Sequence, residues 1–199
     1  MVSIITGDIV NSRAIDTQLW LQALKEALAK YGKEPHKWEI FRGDSFQLEV
    51  NPEYALEAVV VLKATIKQFK ELDIRTAIGV GEKTYTADKI TESNGTAFIR
   101  SGECFEQLKK QTLAINTPSN EQNLILNLMF ELASLTIDDW SPTSALIIKT
   151  ALENPNVNQK ELAAILGMRQ SNISRGLKRG GYDEIMKLNE YYKKNIQTL

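Results

Sequence analysis

The spacing of apolar residues predicts alternating strands and helices over residues 1–80. Four segments have the continuous or alternating apolar pattern of strands: residues 2–6, 38–41, 46–50 and 74–80. Two segments repeat apolar residues at three- and four-residue spacing, as amphipathic helices do: residues 16–31 and 55–72. The predicted order is therefore strand, helix, strand, strand, helix, strand.

This βαββαβ order is the ferredoxin-like plan. A polar loop over 82–95, a helix over 96–110 and a short strand over 113–116 are predicted to follow. The segment Thr117-Pro118-Ser119-Asn120 has the composition of a domain boundary, and every later segment has helical spacing. We therefore predict an α+β protein with a ferredoxin-like, cyclase-like domain over 1–117 and a helical domain over 118–199.

Composition narrows the kinds of protein that this chain can be. Of its 199 residues, 25% are charged and 43% hydrophobic, which is ordinary for a globular protein. No apolar run reaches the roughly 18 residues that span a bilayer, and no secretory signal pattern opens the chain. Cys104 and His36 are single, which disfavours disulfides and sites built from thiolates or histidines. A cytoplasmic protein without a membrane partner is expected.

Charge is distributed unevenly between the two parts of the chain. Residues 1–140 contain 15 Lys and Arg against 20 Asp and Glu, a net charge of −5. Residues 141–199 contain 9 against 5, a net charge of +4. Only residues 141–199 are therefore expected to bind a polyanion.

The basic part contains two predicted helices joined by a tight turn, over about 158–179. Gly167 suits the left-handed backbone of a sharp turn, and Ile173 and Leu177 mark the buried face of the second helix. The other side chains of that helix are expected to be exposed: Gln170, Ser171, Asn172, Ser174, Arg175, Lys178 and Arg179. Short polar groups can read base edges and cations can meet phosphates, so these seven residues are the predicted DNA contacts.

The stretch ELAAILGMRQSNISRGLKR resembles bacterial helix-turn-helix regulators. The resemblance implies transcription regulation, DNA as a partner and a homodimer, because such proteins usually bind DNA as dimers. The alternative is an ordinary helical hairpin whose cations are only solvated. Trp140 is expected to hold the junction between the two domains.

Two aspartates are expected to meet in the first domain. The first and third strands of a ferredoxin-like sheet are neighbours, so Asp8, at the end of the first strand, and Asp44, in the hairpin, come together. Paired carboxylates attract a cation, and oxygen ligands suit Mg²⁺ held with substrate phosphates. The alternative is structural: Asp8 caps the following turn, and Gly43-Asp44 is a common hairpin pair.

Phosphate ligands are predicted next to this metal site: Asn11, Ser12, Arg13 and Arg75. Asn11 and Ser12 would act with the backbone N–H groups that open the next helix. For Arg75 the alternative is an ion pair with Glu49 or Glu82.

The stretches GDIVNSR, FRGDSF and IRTAIGVGE resemble, in this order, the catalytic domains of class III nucleotidyl cyclases and diguanylate cyclases. Those families carry one metal aspartate on the first strand and another in a GD hairpin, and by motif these match Asp8 and Asp44. With NGTAFIRSGE further on, the arrangement over 1–116 looks closest to the SatD family of small bacterial proteins. The resemblance implies a metal–nucleotide site.

The chain departs from the cyclase pattern at the groups that stabilise the transition state. Class III cyclases place an asparagine and, four residues on, an arginine in the helix after the long loop. Anchored on Gly95, these places hold Ile99 and Glu103, and Ile40 stands where many adenylyl cyclases have a base-recognising lysine. Charge on the transferring phosphorus would lack its usual stabilisation, so binding is expected rather than cyclisation.

Three hypotheses follow for the function. The first is a DNA-binding regulator whose cyclase-like domain senses a metal–nucleotide ligand. The second is a Mg²⁺-dependent nucleotidyl cyclase or nucleotidyltransferase-like enzyme that uses Asp8 and Asp44. The third is a protein-interaction module with a degenerate ligand site.

Overall fold

The computed structural model describes residues 1–199 and combines one sheet with eight α-helices. The strands are β1 (Val2–Val10), β2 (Trp38–Phe41), β3 (Ser45–Val50), β4 (Asp73–Gly81) and β5 (Leu113–Asn116). The helices are α1 (Thr17–Ala29), α2 (Ala55–Ile66), α3 (Thr96–Gln107), α4 (Asn120–Ile137), α5 (Pro142–Glu153), α6 (Gln159–Leu166), α7 (Gln170–Arg179) and α8 (Tyr182–Ile196). The predicted α+β class is confirmed.

The five strands form one mixed sheet in the order β2-β3-β1-β4-β5. β5 is parallel to β4, and the other neighbouring strands are antiparallel. The prediction that the first and third strands lie side by side is confirmed, because β1 pairs with β3 on one side and with β4 on the other.

β1 is longer than the apolar pattern predicts. Pairing with β4 continues from Val2 to Val10, so the strand extends four residues beyond the predicted end at Thr6. Hydrogen bonds from strands on both sides satisfy the backbone, and a polar side chain at the edge of the core does not interrupt them. The prediction that Asp8 ends the strand is therefore wrong, because Asp8 lies inside it.

Both faces of the sheet are covered by helices. Alternate residues of β1 point to opposite faces, and Ile5 and Ile9 belong to the large core that contains residues of α1 and α2. Ile4 points the other way and packs against Ala97 of α3. Gly79 of β4 permits this close approach, because a Cβ atom there would overlap backbone atoms of α3.

Helices α4, α5 and α8 pack against the same large core, whereas buried residues of α5, α6 and α7 form a smaller cluster. Leu126 and Phe130 of α4, with Tyr192 of α8, are buried in it. Trp140 is also buried there, and its indole Nε1 donates to the carbonyl oxygen of Gly180 over 2.9 Å. Trp140 thus links the end of α7 to the large core, and its role at a junction between two domains stays a prediction.

Two predicted helices end earlier than their apolar patterns. α2 stops at Ile66 rather than near residue 72, and α3 stops at Gln107 rather than near residue 110. The residues after α2 form turns, and Lys63 near its end is buried between the carboxylates of Asp73 and Asp138. None of the helices is both long enough and apolar enough to cross a membrane.

Candidate functional site

The six residues predicted for the metal and phosphate site line one open cleft at the end of β1. They are Asp8, Asn11, Ser12, Arg13, Asp44 and Arg75. Glu71 and Lys109 line the same cleft, which has a volume of about 770 Å³. We call it the β1 cleft. Sequence reasoning missed Glu71 and Lys109, because both lie in polar segments without a motif.

Asp8 and Arg75 form the central ion pair of the cleft. They are directly opposite each other on β1 and β4, and the guanidinium contacts both carboxylate oxygens, with Nε donating to Oδ1 over 3.0 Å. The hydrogen bond to Asp8 raises the pKa of Arg75. The cation beside Asp8 is therefore a protein side chain, and a metal ion would have to displace it or share the carboxylate with it.

The alternative partners considered for Arg75 were Glu49 and Glu82, and both are wrong. Glu49 is buried and accepts hydrogen bonds from Lys37 and Lys83. Burial would raise the pKa of Glu49, but these two lysines outweigh it and lower the pKa below its ordinary value. Glu82 lies 3.5 Å from the N-terminal ammonium group instead.

Asp44 is held next to β1 by its backbone and its side chain. Its carbonyl oxygen accepts from the backbone N–H of Ile9 over 3.1 Å, and its carboxylate accepts from the Ser12 hydroxyl over 2.6 Å. The turn before it places Arg42 and Gly43 at positive φ angles of 54° and 94°. The tight hairpin that the sequence predicts is thus confirmed, and it presents Asp44 to the cleft.

Asn11 and Ser12 lie in the turn before helix α1, which is predicted to begin at about residue 16. The helix begins at Thr17, and the Asp16 carboxylate caps it by accepting from the Gln18 N–H over 3.0 Å. The anion-binding end of this helix is therefore occupied by the chain's own carboxylate. Asn11 has a φ angle of 59° in the preceding turn, where polar side chains tolerate a left-handed backbone.

The β1 cleft brings opposite charges together in equal number. Its carboxylates are Asp8, Asp44 and Glu71, and its cations are Arg13, Arg75 and Lys109. Such a surface suits a ligand that itself carries both charges, with phosphate oxygens on the cations and a divalent metal on the carboxylates. The chain contains no group of three or more His, Cys, Asp or Glu side chains placed to hold one metal ion.

The cyclase positions on α3 lie outside this cleft. Ile99 and Glu103 are exposed and are not among its lining residues. Arg100, between them, donates from Nη1 to the carbonyl oxygen of Val80 over 2.7 Å. Helix α3 therefore offers the cleft neither the amide nor the guanidinium that a cyclase of this class uses.

A second candidate site is the exposed face of α7. All seven residues predicted to be exposed are exposed: Gln170, Ser171, Asn172, Ser174, Arg175, Lys178 and Arg179. Ile173 is completely buried on the opposite face, and Leu177 is half-buried beside it. Gly167 has a φ angle of 62°, the left-handed turn that the sequence predicts between α6 and α7. We call the seven residues the α7 surface.

Close packing holds α7 in this orientation, and a capping box begins the preceding helix α6. Gly176 faces Ile147 of α5 so closely that a Cβ atom would overlap its side chain. Helix α6 starts with a capping box in which Asn158 and Glu161 exchange hydrogen bonds with each other's backbone. The Asn-x-x-Glu spacing is typical of this cap, but the sequence predictions did not include it.

Comparison with known proteins adds no relative, since no protein-family model and no curated protein matches the chain. The functional proposals below therefore depend on the geometry of the two sites.

Proposed function

We propose that the chain is a DNA-binding transcriptional regulator, with a helix-turn-helix over about 158–179 and a cyclase-like domain that senses a metal–nucleotide ligand. The observation that carries the proposal is the α7 surface, on which short polar and cationic side chains share one exposed face. The strand order, with β1 between β3 and β4, supports the ferredoxin-like plan with β5 added at one edge.

Charge and chemistry on α6 and α7 favour a nucleic acid as the partner. The segment 158–179 contains five Lys or Arg residues and a single Glu. Gln, Asn and Ser side chains at the start of α7 carry the donors and acceptors that read base edges, and cations at its end suit phosphates. Arg175 now donates to the Asn172 side chain over 2.7 Å, a contact that DNA would replace.

The test is selection from a random DNA pool followed by titration at several salt concentrations. The wild type should enrich a sequence, and Arg175→Ala should weaken binding to it by about 1–3 kcal/mol. Lys178→Ala should weaken binding on all sequences and reduce the salt slope by about 1. Lys70→Ala is the matched control, because Lys70 is an exposed cation of the first domain. No enrichment, or equal losses in all three variants, would contradict the proposal.

A second function, ligand binding in the β1 cleft, is favoured by a separate observation. Residues from four separated parts of the sequence, Asp8, Asp44 and Arg75 among them, line the same cleft. A nucleoside triphosphate with Mg²⁺ matches the mixture of cations and carboxylates. The departures on α3 favour a sensor over an enzyme, since they remove groups that would stabilise the transferring phosphoryl.

Calorimetry with nucleoside triphosphates, with and without Mg²⁺, separates the three hypotheses. Binding without turnover that is weakened in Asp44→Asn supports the sensor. Turnover that disappears in Asp44→Asn supports the enzyme. If no nucleotide produces heat, the result supports the protein-interaction module. Glu92→Gln is the control and should behave as the wild type, because Glu92 is an exposed carboxylate outside the cleft.

A further inference from the structure

Helix α4 carries an apolar stripe that no other part of the chain covers. We define the α4 stripe by its members: Leu124, Ile125, Leu128, Leu132 and Leu135. Leu124 is 77% exposed and Leu135 is 74% exposed, although both are large aliphatic residues. Their spacing places all five on one side of the helix, over about 16 Å of its length. Contiguous exposed apolar patches of this kind mark interaction surfaces.

A groove lined by both apolar and polar residues runs beside the stripe. It lies between α4, α7 and α8 and has a volume of about 960 Å³. Its apolar lining includes Met129 and Ala133 of α4 and Leu188 and Tyr191 of α8. The α4 stripe and the groove adjoin on the same face. In a two-fold interface the stripe of each copy can therefore enter the groove of the other copy.

The charges beside the stripe and the groove are complementary. Helix α4 contains no Lys or Arg, and its exposed acids are Glu121 and Glu131. The groove is lined by three cations, Lys178, Arg179 and Lys187, and by two acids, Asp183 and Glu184, a net charge of +1. Helix α4 of another copy carries exposed acids and no Lys or Arg, so seating it in this groove would bring carboxylates towards a lining with a net positive charge.

The size of the surface also fits an interface between two copies. Helix α4 has 18 residues and is about 27 Å long, and with α8 beside it the face is about 20 Å wide. That face is about 500 Å² in projection, and its accessible area is larger because helix surfaces are curved. A standard interface buries about 800 Å² per partner.

We propose that a second copy of this chain covers the α4 stripe, with α4 of each copy seated in the groove of the other. This inference rests on the proposed DNA-binding function, because the dimer would place two α7 surfaces on one DNA. Ser174 and Lys178 of the α7 surface border the same groove. A two-fold contact there sets the separation of the two α7 surfaces, as binding of two half-sites requires.

The test is the molar mass of the full chain in solution, measured by light scattering and sedimentation without DNA. The wild type should have twice the chain mass of 22.4 kDa. Leu128→Glu places a carboxylate at the middle of the stripe and should raise the dimer dissociation constant at least about 100-fold. Leu19→Glu is the matched control, since Leu19 is 60% exposed on α1, and it should remain dimeric.

Circular dichroism and thermal melting establish that the variants fold. If Leu128→Glu fails to fold, Leu124→Gln, at the more exposed end of the stripe, replaces it. A single-chain mass for the wild type at about 100 μM, or a dimer that Leu128→Glu leaves intact, overturns the inference. A monomer that binds DNA removes only this inference, and a dimer that binds none removes only the regulator proposal.

Discussion

Ile173 is one of the buried side chains that hold α7, and replacing it tests how the α7 surface is held. Ile173 is completely buried in a small cluster with Ile147 of α5 and Leu162 of α6. This cluster contains the apolar contacts that join the three helices. We predict that Ile173→Ala loosens α7 from the other two helices and thereby weakens any binding by its exposed face.

The expected loss of stability follows from the burial of the side chain. The substitution removes three carbon atoms, which at about 0.8 kcal/mol per buried methylene costs about 2.4 kcal/mol. The cavity left between the helices adds to this cost, and the higher helix propensity of alanine returns a few tenths of a kcal/mol. The free energy of unfolding should therefore fall by about 3 kcal/mol, and Tm by about 6–12 °C for a chain of this size.

Urea unfolding followed by circular dichroism measures this difference. Ile165→Ala is the matched control, because Ile165 lies on the neighbouring helix α6 and is 54% exposed. The same chemical change there should alter the free energy of unfolding by about 0.5 kcal/mol or less. A loss below about 1 kcal/mol in Ile173→Ala, or equal losses in the two variants, would refute the argument that burial of Ile173 holds α7.

Three further predictions concern other parts of the molecule. Gly79→Ala should lower the free energy of unfolding by about 3 kcal/mol in urea titration, because its Cβ would overlap the Ala97 carbonyl, and an unchanged midpoint would contradict the close contact of α3 with β4. Gly167→Ala should lower it by about 1 kcal/mol through left-handed strain, with Gly167→Asn less affected. Glu49 has a lowered pKa, so its contribution is present above the pKa of the unfolded chain, about 4.3, and is lost as pH falls through the folded pKa. Wild-type stability should thus fall on acidification, and Glu49→Gln should show a smaller dependence on pH.

The secondary structure was largely predictable because its signals are local. The predicted bounds of β2 and β5 agree with the structure, and the other elements differ mainly at their ends. The end of β1, four residues beyond the predicted end, has a non-local cause. Pairing with β3 and β4 extends the strand through Gly7 and Asp8, although neither residue favours a strand by itself.

The two candidate sites differ in how far the sequence predicted them. The α7 surface followed from a short amphipathic pattern, because burying Ile173 on one side of a helix exposes the residues opposite. The residues of the β1 cleft could be predicted from the sequence only in part. Motifs indicated Asp8 and Asp44, but the sequence did not show that the Asp16 carboxylate caps the start of α1, where backbone N–H groups are predicted to hold phosphate.

Contacts between distant segments were decided by the tertiary structure alone. The bidentate pair of Asp8 and Arg75 depends on the register of two strands whose residues are 67 positions apart. A shift of one residue would turn one of the two side chains to the opposite face of the sheet.

The burial of α4 was also decided by the tertiary structure. The apolar pattern of α4 predicts a helix but does not tell which leucines reach the core. Leu126 is buried and Leu128 is exposed because the positions of β5 and α8 determine which side of α4 is covered. The sequence by itself thus determined the periodic elements and the exposed face of α7, since both depend on neighbours within a few residues. The ion pair and the uncovered stripe depend on how distant elements pack, and only the folded chain determines that.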